Sequence, residues 1–170
     1  GYAGLAIERF IEILKAKGIE AVADLRSQPY SKHEPAYSRD PLKAFLESAG
    51  LLYVFLGKEL GARREESECY LDGIARYDLI EKLPAFVDGL GRLRKGAGTY
   101  RIALLCAEKD PLTCHRAILV GRLLAVEGYP MTHLSADGSE EDQESLETRL
   151  LQEEGKSSEE IDFESGNLKT

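Results

Sequence analysis

The residues of this chain that are best suited to chemistry lie in one short stretch, CAEKDPLTCHR, at positions 106–116. Its reactive groups are two thiols, an imidazole, a carboxylate and a guanidinium, from Cys106, Cys114, His115, Glu108 and Arg116. A thiolate is a nucleophile, a histidine transfers protons, and an arginine holds an anion. This combination predicts a cysteine-dependent enzyme that acts on an anionic small molecule or a nucleotide.

The same stretch also predicts the start of a helix. Asp110 followed by Pro111 is typical of an N-cap and a first helical position, so we expect a helix over 110–128. The unpaired N–H groups at its start would favour a thiolate at Cys114. We expect Cys106 to be the nucleophile because it ends a strand, although either cysteine could attack while the other resolves the product.

Two other interpretations of the cysteines stay open. Cysteine is often a core residue, so both can be structural in a binding module for nucleotides or nucleic acid. Alternatively, Cys106, Cys114 and His115 are ligand types for a metal-dependent hydrolase. Seven residues separate the two cysteines, which is wider than the usual spacing of zinc ligands. The leading interpretation includes no metal and no cofactor.

Composition and charge limit the possible partners. The chain has 170 residues, three cysteines and a formal net charge of −8. This charge opposes binding to a nucleic-acid backbone but allows a local site for a small anion or a nucleotide. The chain has no apolar run long enough to cross a membrane and no signal-peptide pattern, so we expect a cytoplasmic protein. The sequence does not predict the oligomeric state.

Apolar runs alternate with amphipathic segments, which predicts an α/β fold: a three-layer sandwich with a mainly parallel, Rossmann-like sheet. We expect one domain over 1–155 and a mobile acidic tail over 156–170. The predicted strands are 21–26, 51–56, 101–107 and 131–135. The predicted helices are 5–17, 41–50, 83–96, 110–128 and 139–155. Gly18 and Gly50 are the expected ends of the first two helices, and Asp40 is the expected N-cap of the second.

Polar side chains follow three of these predicted strands. Ligands of open parallel sheets bind beyond the carboxyl ends of the strands, so we expect these residues to form one site. The expected substrate-binding residues are Asp24, Arg26, Ser31, Arg63 and Arg116. Glu108 and Asp24 would orient the reacting groups or carry protons. An internal ion pair between Asp24 and Arg26 is the alternative for those two residues.

Three motifs, DLRSQPYS, ELGARR and CAEKDPLTCHR, resemble those of the domain of unknown function 488 family. The resemblance covers roughly residues 1 to 151, and the cysteine motif is matched in full. Ala62 stands where a second glycine is usual. The resemblance implies a compact α/β sandwich and marks the shared polar residues as the site, but it implies no reaction. Family members begin with a strand ending in T-x-G-[YH], which Gly1-Tyr2 resembles, so the first strand of the sheet is expected to be missing.

Overall fold

A computed structural model describes residues 1–153 and the backbone of two short paired strands, Ile161–Asp162 and Asn167–Leu168. The chain divides into two compact units, residues 1–109 and 110–170. The single domain over 1–155 therefore stays a prediction. Most of the predicted tail, 156–170, lies outside the described residues. None of the described helices is both long enough and apolar enough to cross a membrane.

The first unit alternates strands and helices along the chain. Its strands are β1 (Ala21–Asp24), β2 (Leu52–Phe55), β3 (Tyr70–Leu71), β4 (Ile74–Ala75) and β5 (Ile102–Leu105). Its α-helices are α1 (Ile7–Ala16), α2 (Arg39–Ser48), α3 (Gly57–Leu60), α4 (Tyr77–Ile80) and α5 (Pro84–Ala97). Two single 3₁₀ turns complete it, at Pro35–Tyr37 and Ser67–Cys69. The short antiparallel pair β3–β4 was not predicted from the sequence.

A three-stranded parallel sheet in the order β2-β1-β5 organises this unit. Asp24, the last residue of β1, is in register with Phe55 of β2 and Leu105 of β5. The carboxyl ends of all three strands therefore lie at one edge. All four residues of β1 are buried, as expected for a central strand covered on both faces. The predicted α/β fold with a mainly parallel sheet is confirmed.

Helices α1 and α2 pack on one face of this sheet through their apolar stripes. The core there includes Phe10 and Leu14 of α1, Leu42 and Leu46 of α2, and Val22 of β1. Gly18 and Gly50 follow the two helices with positive φ, which confirms the predicted helix ends.

The predicted N-cap of α2 is wrong. Ser38 takes that place, because its carbonyl accepts the first helical hydrogen bond, from the N–H of Leu42 at 2.9 Å. Asp40 is the second residue of the helix. Pro41 lies within the first turn, where a missing N–H costs nothing.

The second unit contains short helices and an antiparallel hairpin. Up to Glu153, its elements are a 3₁₀ turn (Pro111–Thr113), a π-helical segment (Arg116–Gly121), α6 (Arg122–Val126), β6 (Thr132–Leu134), β7 (Glu140–Asp142) and α7 (Gln143–Glu153). The predicted strand over 131–135 is confirmed as β6, which pairs with β7.

Two helix boundaries predicted for this unit are wrong. The helix expected over 110–128 begins at Arg116, because Cys114 is extended (φ −122°, ψ 123°) and separates the 3₁₀ turn from the helix. The helix expected over 139–155 begins at Gln143, because residues 140–142 pair with β6. The Asp142 carboxylate then accepts a hydrogen bond from the N–H of Ser145 at 2.7 Å and caps α7.

Candidate functional site

A buried ion pair marks the carboxyl end of β1. The Nε and Nη2 atoms of Arg26 donate to the two oxygens of Asp24 at 2.8 and 2.6 Å, a bidentate arrangement. The backbone N–H of Arg26 donates to the same carboxylate at 3.1 Å, and the Tyr53 hydroxyl donates at 2.8 Å. Asp24 is completely buried and Arg26 is 5% exposed. The internal ion pair considered as the alternative for these two residues is therefore present.

Aromatic rings enclose the guanidinium of Arg26. It lies over the ring of Tyr2, 5.1 Å from the ring centroid, and its Nη1 donates to the carbonyl of Tyr37 at 2.7 Å. The rings of Tyr2 and Tyr37 stack at 4.1 Å. The backbone and side chain of Arg26 thus fix the loop after β1 to the core. Of these tyrosines, only Tyr2 belongs to a motif noted in the sequence, the Gly1-Tyr2 pair. Tyr37 and Tyr53 were missed, although Tyr53 carries a signal, a hydroxyl within an apolar strand.

Burial and the charge of Asp24 together set the ionisation of this cluster. Burial alone lowers the pKa of Arg26, but the hydrogen bonds and charge of Asp24 outweigh it and raise that pKa above its ordinary value. Burial, reinforced by the charge of Asp24, raises the pKa of Tyr53 well above its usual range. Burial also raises the pKa of Tyr37, with a further contribution from the charge of Glu34. The cluster therefore keeps Arg26 charged and these two hydroxyls protonated.

The loop after β2 lies directly against the loop after β1. The backbone N–H of Arg63 donates to Oγ of Ser27 at 3.0 Å. Glycines make this approach possible: a Cβ at Gly57 would lie 2.0 Å from the carbonyl oxygen of Arg26, and one at Gly61 would lie 2.2 Å from Oγ of Ser27. The predicted meeting of the first two strand ends is thus observed, and Arg63 is exposed there.

Ser31 has a local role in the loop after β1. Its Oγ accepts a hydrogen bond from the N–H of Glu34 at 3.1 Å, and its own N–H donates to Oγ of Ser38 at 3.1 Å. These contacts close the loop between β1 and α2. Ser31 therefore shapes the loop, and a contact of its hydroxyl with substrate stays a prediction.

Cys106 directly follows β5, at the same edge of the sheet. It is 2% exposed, and its carbonyl accepts a hydrogen bond from the N–H of Tyr2 at 3.3 Å. The N–H of Leu25 donates to the carbonyl of Leu105 at 3.0 Å, so the ends of β1 and β5 stay paired up to the residue before Cys106. Glu108, two residues further on, is exposed.

In the second unit, Asp110 caps the turn that precedes Cys114. Its Oδ1 accepts from the N–H of Leu112 at 3.0 Å, which confirms a capping role for Asp110, although for a 3₁₀ turn. Arg149 donates to both oxygens of this carboxylate, at 3.0 and 3.3 Å, and to both oxygens of Glu141, at 3.0 Å each. The hydrogen bonds from Arg149 lower the pKa of Asp110.

Cys114, His115 and Arg116 occupy the junction between this turn and the helix. They are 0%, 9% and 6% exposed, respectively. The carbonyl of Cys114 accepts hydrogen bonds from the N–H groups of Ala117 and Ile118, at 2.9 and 3.1 Å, and so starts the helix. The helix opens with a π-helical segment, a rare conformation that is frequent at functional sites.

The second unit also holds a buried histidine to which sequence reasoning gave no role. His133 on β6 is 5% exposed, and its Nε2 lies 2.9 Å from Oε1 of Gln143. The amide nitrogen of Gln143 donates to Glu147 at 2.9 Å, which orients the amide and makes Nε2 of His133 the donor. Burial lowers the pKa of His133, and the charge of Arg116 lowers it further.

Comparison with known proteins supports the family that the sequence resembles. No curated protein and no solved structure matches the chain. One family model, described as "Domain of unknown function DUF488", matches residues 6–123. This range includes the ion pair of Asp24 and Arg26 and the whole cysteine motif. Because the match covers more than half of the sequence, the chain belongs to the family of domain of unknown function DUF488.

Proposed function

We propose that this protein is a cysteine-dependent enzyme that acts on an anionic small molecule or a nucleotide at the carboxyl edge of its parallel sheet. The observation that carries this proposal is the position of Cys106. It is the first residue after β5, next to the strand end that holds Asp24 and Arg26. Open parallel sheets bind their ligands beyond this edge.

The other motif residues would serve the reaction of the Cys106 thiolate. His115 would be the general acid and base, and it protonates the leaving group as the sulfur bonds to the substrate. Cys114 would be the second thiol: it would accept the substrate group from Cys106 as the bond to Cys106 breaks, and its proton would pass to the released Cys106 sulfur. Glu108 would orient the reacting groups. Arg116 and Arg63 would hold the anionic part of the substrate. These roles rest on residue type and on the sequence motif.

The buried ion pair gives Arg26 a different part in this proposal from that of Arg63. Three nitrogens of the Arg26 side chain already bind Asp24 and the carbonyl of Tyr37. Arg26 would therefore hold the loop after β1 in place rather than contact the substrate. The exposed guanidinium of Arg63 is better suited to direct contact.

The test is the rate of alkylation of each cysteine as a function of pH, read by mass spectrometry. We expect Cys106 to react fastest, with a titration well below the pKa of about 8.5 of a free thiol. Cys69 is the internal control, because it is completely buried and burial raises its pKa. If Cys106 and Cys114 both react as slowly as Cys69 until the protein unfolds, the enzyme proposal is wrong. The replacements Cys106→Ala and Cys114→Ala identify which thiol is responsible.

Metal content is measured before alkylation, because Cys106, Cys114 and His115 are residue types that bind zinc. Stoichiometric zinc or iron after purification from a metal-replete medium would favour a metal-dependent hydrolase instead. Metal-free protein with a reactive Cys106 would favour the thiolate mechanism.

A second candidate function is a binding module with structural cysteines. It is favoured by the burial of both thiols, since Cys106 is 2% exposed and Cys114 is 0% exposed. Under this alternative, neither alanine replacement changes ligand affinity, whereas loss of a substrate-binding arginine does. The enzyme proposal instead expects Cys106→Ala to remove turnover while binding is retained.

A further inference from the structure

Two of the arginines near the ends of β1 and β2 are already neutralised. Arg26 is paired with Asp24 in the core. Arg64 donates to both oxygens of Glu66, at 3.2 and 2.9 Å, and its Nη1 donates to the carbonyl of Lys58 at 2.8 Å. Its side chain is 6% exposed. Both guanidinium groups therefore stabilise the loops and have few donors left for a ligand.

Arg39 and Arg63 differ from these two in exposure and in partners. Both are exposed, and neither has a carboxylate partner within residues 1–153. The guanidinium of Arg39 lies over the ring of Phe55, 4.5 Å from its centroid. Nη1 of Arg63 makes one long contact, 3.4 Å, with the amide oxygen of Gln28. No carboxylate within residues 1–153 therefore neutralises either guanidinium, and each has donors left for a ligand.

The same short segment of loop anchors both arginines. The N–H of Arg39 donates to the carbonyl of Pro29 at 2.8 Å, and the N–H of Arg63 donates to Oγ of Ser27 at 3.0 Å. Three consecutive residues, 27–29, thus hold the two backbones at the carboxyl edge of the sheet. Two positive charges of this kind, on adjacent loops, match an anion that carries two negative charges.

Aromatic rings accompany these charges. Tyr30 follows Pro29 directly and is 75% exposed, and Phe55 is partly exposed beneath Arg39. A guanidinium stacked on a ring directs its N–H groups sideways, in the geometry that a phosphate accepts. Exposed tyrosine and arginine planes also stack on the bases of nucleotides.

We propose that Arg39 and Arg63 bind the phosphate of a nucleotide, and that Tyr30 and the stacked Arg39 contact its base. Residues Arg39, Arg63, Tyr30 and Phe55 are called the arginine–aromatic surface below. This inference names the substrate class of the proposed function and rests on the substrate-binding part of that proposal. It adds Arg39, which the sequence motifs did not single out.

The distance between the arginine–aromatic surface and Cys106 supports a ligand larger than free phosphate. Neighbouring strands lie about 4.8 Å apart, so the end of β2 is roughly 10 Å from the end of β5. A phosphate on the arginine–aromatic surface would be too far from Cys106 to react with it. A nucleotide that extends along the edge would bring a different group to the thiol.

The experiment is calorimetric titration of the protein with AMP and with inorganic phosphate at low salt. We expect both to bind, with AMP at least fivefold tighter because its base stacks. Arg39→Ala and Arg63→Ala should each weaken AMP binding at least tenfold. Arg39→Lys should lose part of the affinity, since an ammonium keeps the charge but lacks the planar fork. Arg76→Ala is the matched control, because Arg76 is paired with Asp78 in the β3–β4 region, and it should bind like the wild type.

The possible outcomes separate this inference from the enzyme proposal. Failure of AMP to bind, or unchanged binding by both Arg39→Ala and Arg63→Ala, overturns the inference even if Cys106 is reactive. Equal affinity for AMP and phosphate overturns the part assigned to the aromatic groups. If AMP binding depends on these arginines but the cysteines do not react, the inference is supported and the proposal of a cysteine-dependent enzyme is refuted.

Discussion

Each unit of the protein uses an arginine–aspartate pair to hold the backbone beside its candidate residues. In the first unit, Arg26 and Asp24 fix the loop after β1. In the second unit, Arg149 and Asp110 fix the turn before Cys114. The two pairs have the same chemical groups and similar bidentate geometry. They differ in exposure. The side chains of Arg26 and Asp24 are 5% and 0% exposed, whereas those of Arg149 and Asp110 are 33% and 46% exposed.

This difference in exposure predicts that breaking the two ion pairs lowers the free energy of unfolding by different amounts. Removing one partner of a buried pair leaves an uncompensated charge in the core, which typically costs about 3–5 kcal/mol. An exposed pair is screened by water and contributes only about 0–1 kcal/mol. The loop after β1 should therefore be a rigid support for the arginine–aromatic surface. The turn before Cys114 should tolerate changes of its ion pair.

The largest expected effect is that of Asp24→Ala on the free energy of unfolding. We expect a loss of about 3–5 kcal/mol, because Arg26 would stay buried without its counter-ion and Tyr53 would lose its acceptor. The measurement is equilibrium unfolding in urea. Asp78→Ala is the matched control, since it breaks an exposed pair with Arg76 that water screens, and its loss should be far smaller than that of Asp24→Ala. Equal losses of unfolding free energy for Asp24→Ala and Asp78→Ala would show that exposure does not set the cost of breaking an ion pair.

The second-largest expected effect is that of Gly57→Ala on the free energy of unfolding, which tests the contact between the loops after β1 and β2. A Cβ added by Gly57→Ala would meet the backbone carbonyl of Arg26, which cannot move without disturbing the ion pair. We expect a loss of about 1–3 kcal/mol, the usual cost of overpacking, and weaker AMP binding. Gly91→Ala in α5 is the control, since nothing lies within 4 Å of its Cβ position. It should stabilise the protein by up to about 1 kcal/mol. A Gly57→Ala protein as stable as the wild type would show that the loops separate easily.

Much of the first unit could be predicted from the sequence. The runs AVADLR, LLYVFL and RIALLCA are apolar enough to predict three buried strands, and the polar residues that follow them predict a candidate site at one edge of the sheet. The ion pair of Asp24 and Arg26 was foreseen as an alternative, because the two residues lie two positions apart. The stacking of Arg39 on Phe55 was not foreseen, because sixteen positions separate them in the sequence and only the fold brings them together.

The second unit was harder to predict because its local and tertiary preferences conflict. Residues 140–142, Glu-Glu-Asp, have low strand propensity, yet they pair with β6. The apolar period after Cys114 indicated a helix correctly, but it did not reveal the π-helical opening or the extended Cys114. The sequence assigns no role to His133, because nothing in it indicates that Gln143 lies beside this histidine.

A buried titratable group in the second unit predicts a dependence of stability on pH. Because burial lowers the pKa of His133, the unfolded chain takes up a proton first as the pH falls through about 6.5. The contribution of His133 to the free energy of unfolding is therefore fully present above this pH. It is lost as the pH falls towards the folded pKa, by at most about 1.4 kcal/mol per pH unit. The charge of Arg116 adds to this loss, whereas Gln143 and Glu141 oppose it.

The measurement is urea unfolding at several pH values, for the wild type and two variants. His133→Gln should flatten the dependence between neutral and mildly acidic pH, whatever its effect on absolute stability. His33→Gln is the control for the replacement itself, because it makes the same change at an exposed histidine. If His133→Gln keeps the slope of the wild type, His133 is not the group responsible.

The smallest expected effect is that of Asp110→Asn, which removes the charge of the second ion pair and keeps the capping oxygen. Water screens this half-exposed pair, so we expect a loss of no more than about 1 kcal/mol, and less at high salt. The hydrogen bonds from Arg149 lower the pKa of Asp110, so its contribution is present above the unfolded pKa of about 3.9 and disappears as the pH falls through the folded pKa. The gap between the unfolding free energies of the wild type and the variant should therefore close below about pH 4. A loss as large as that of Asp24→Ala would mean that the second pair is buried in solution, and the turn before Cys114 would then be as rigid as the loop after β1.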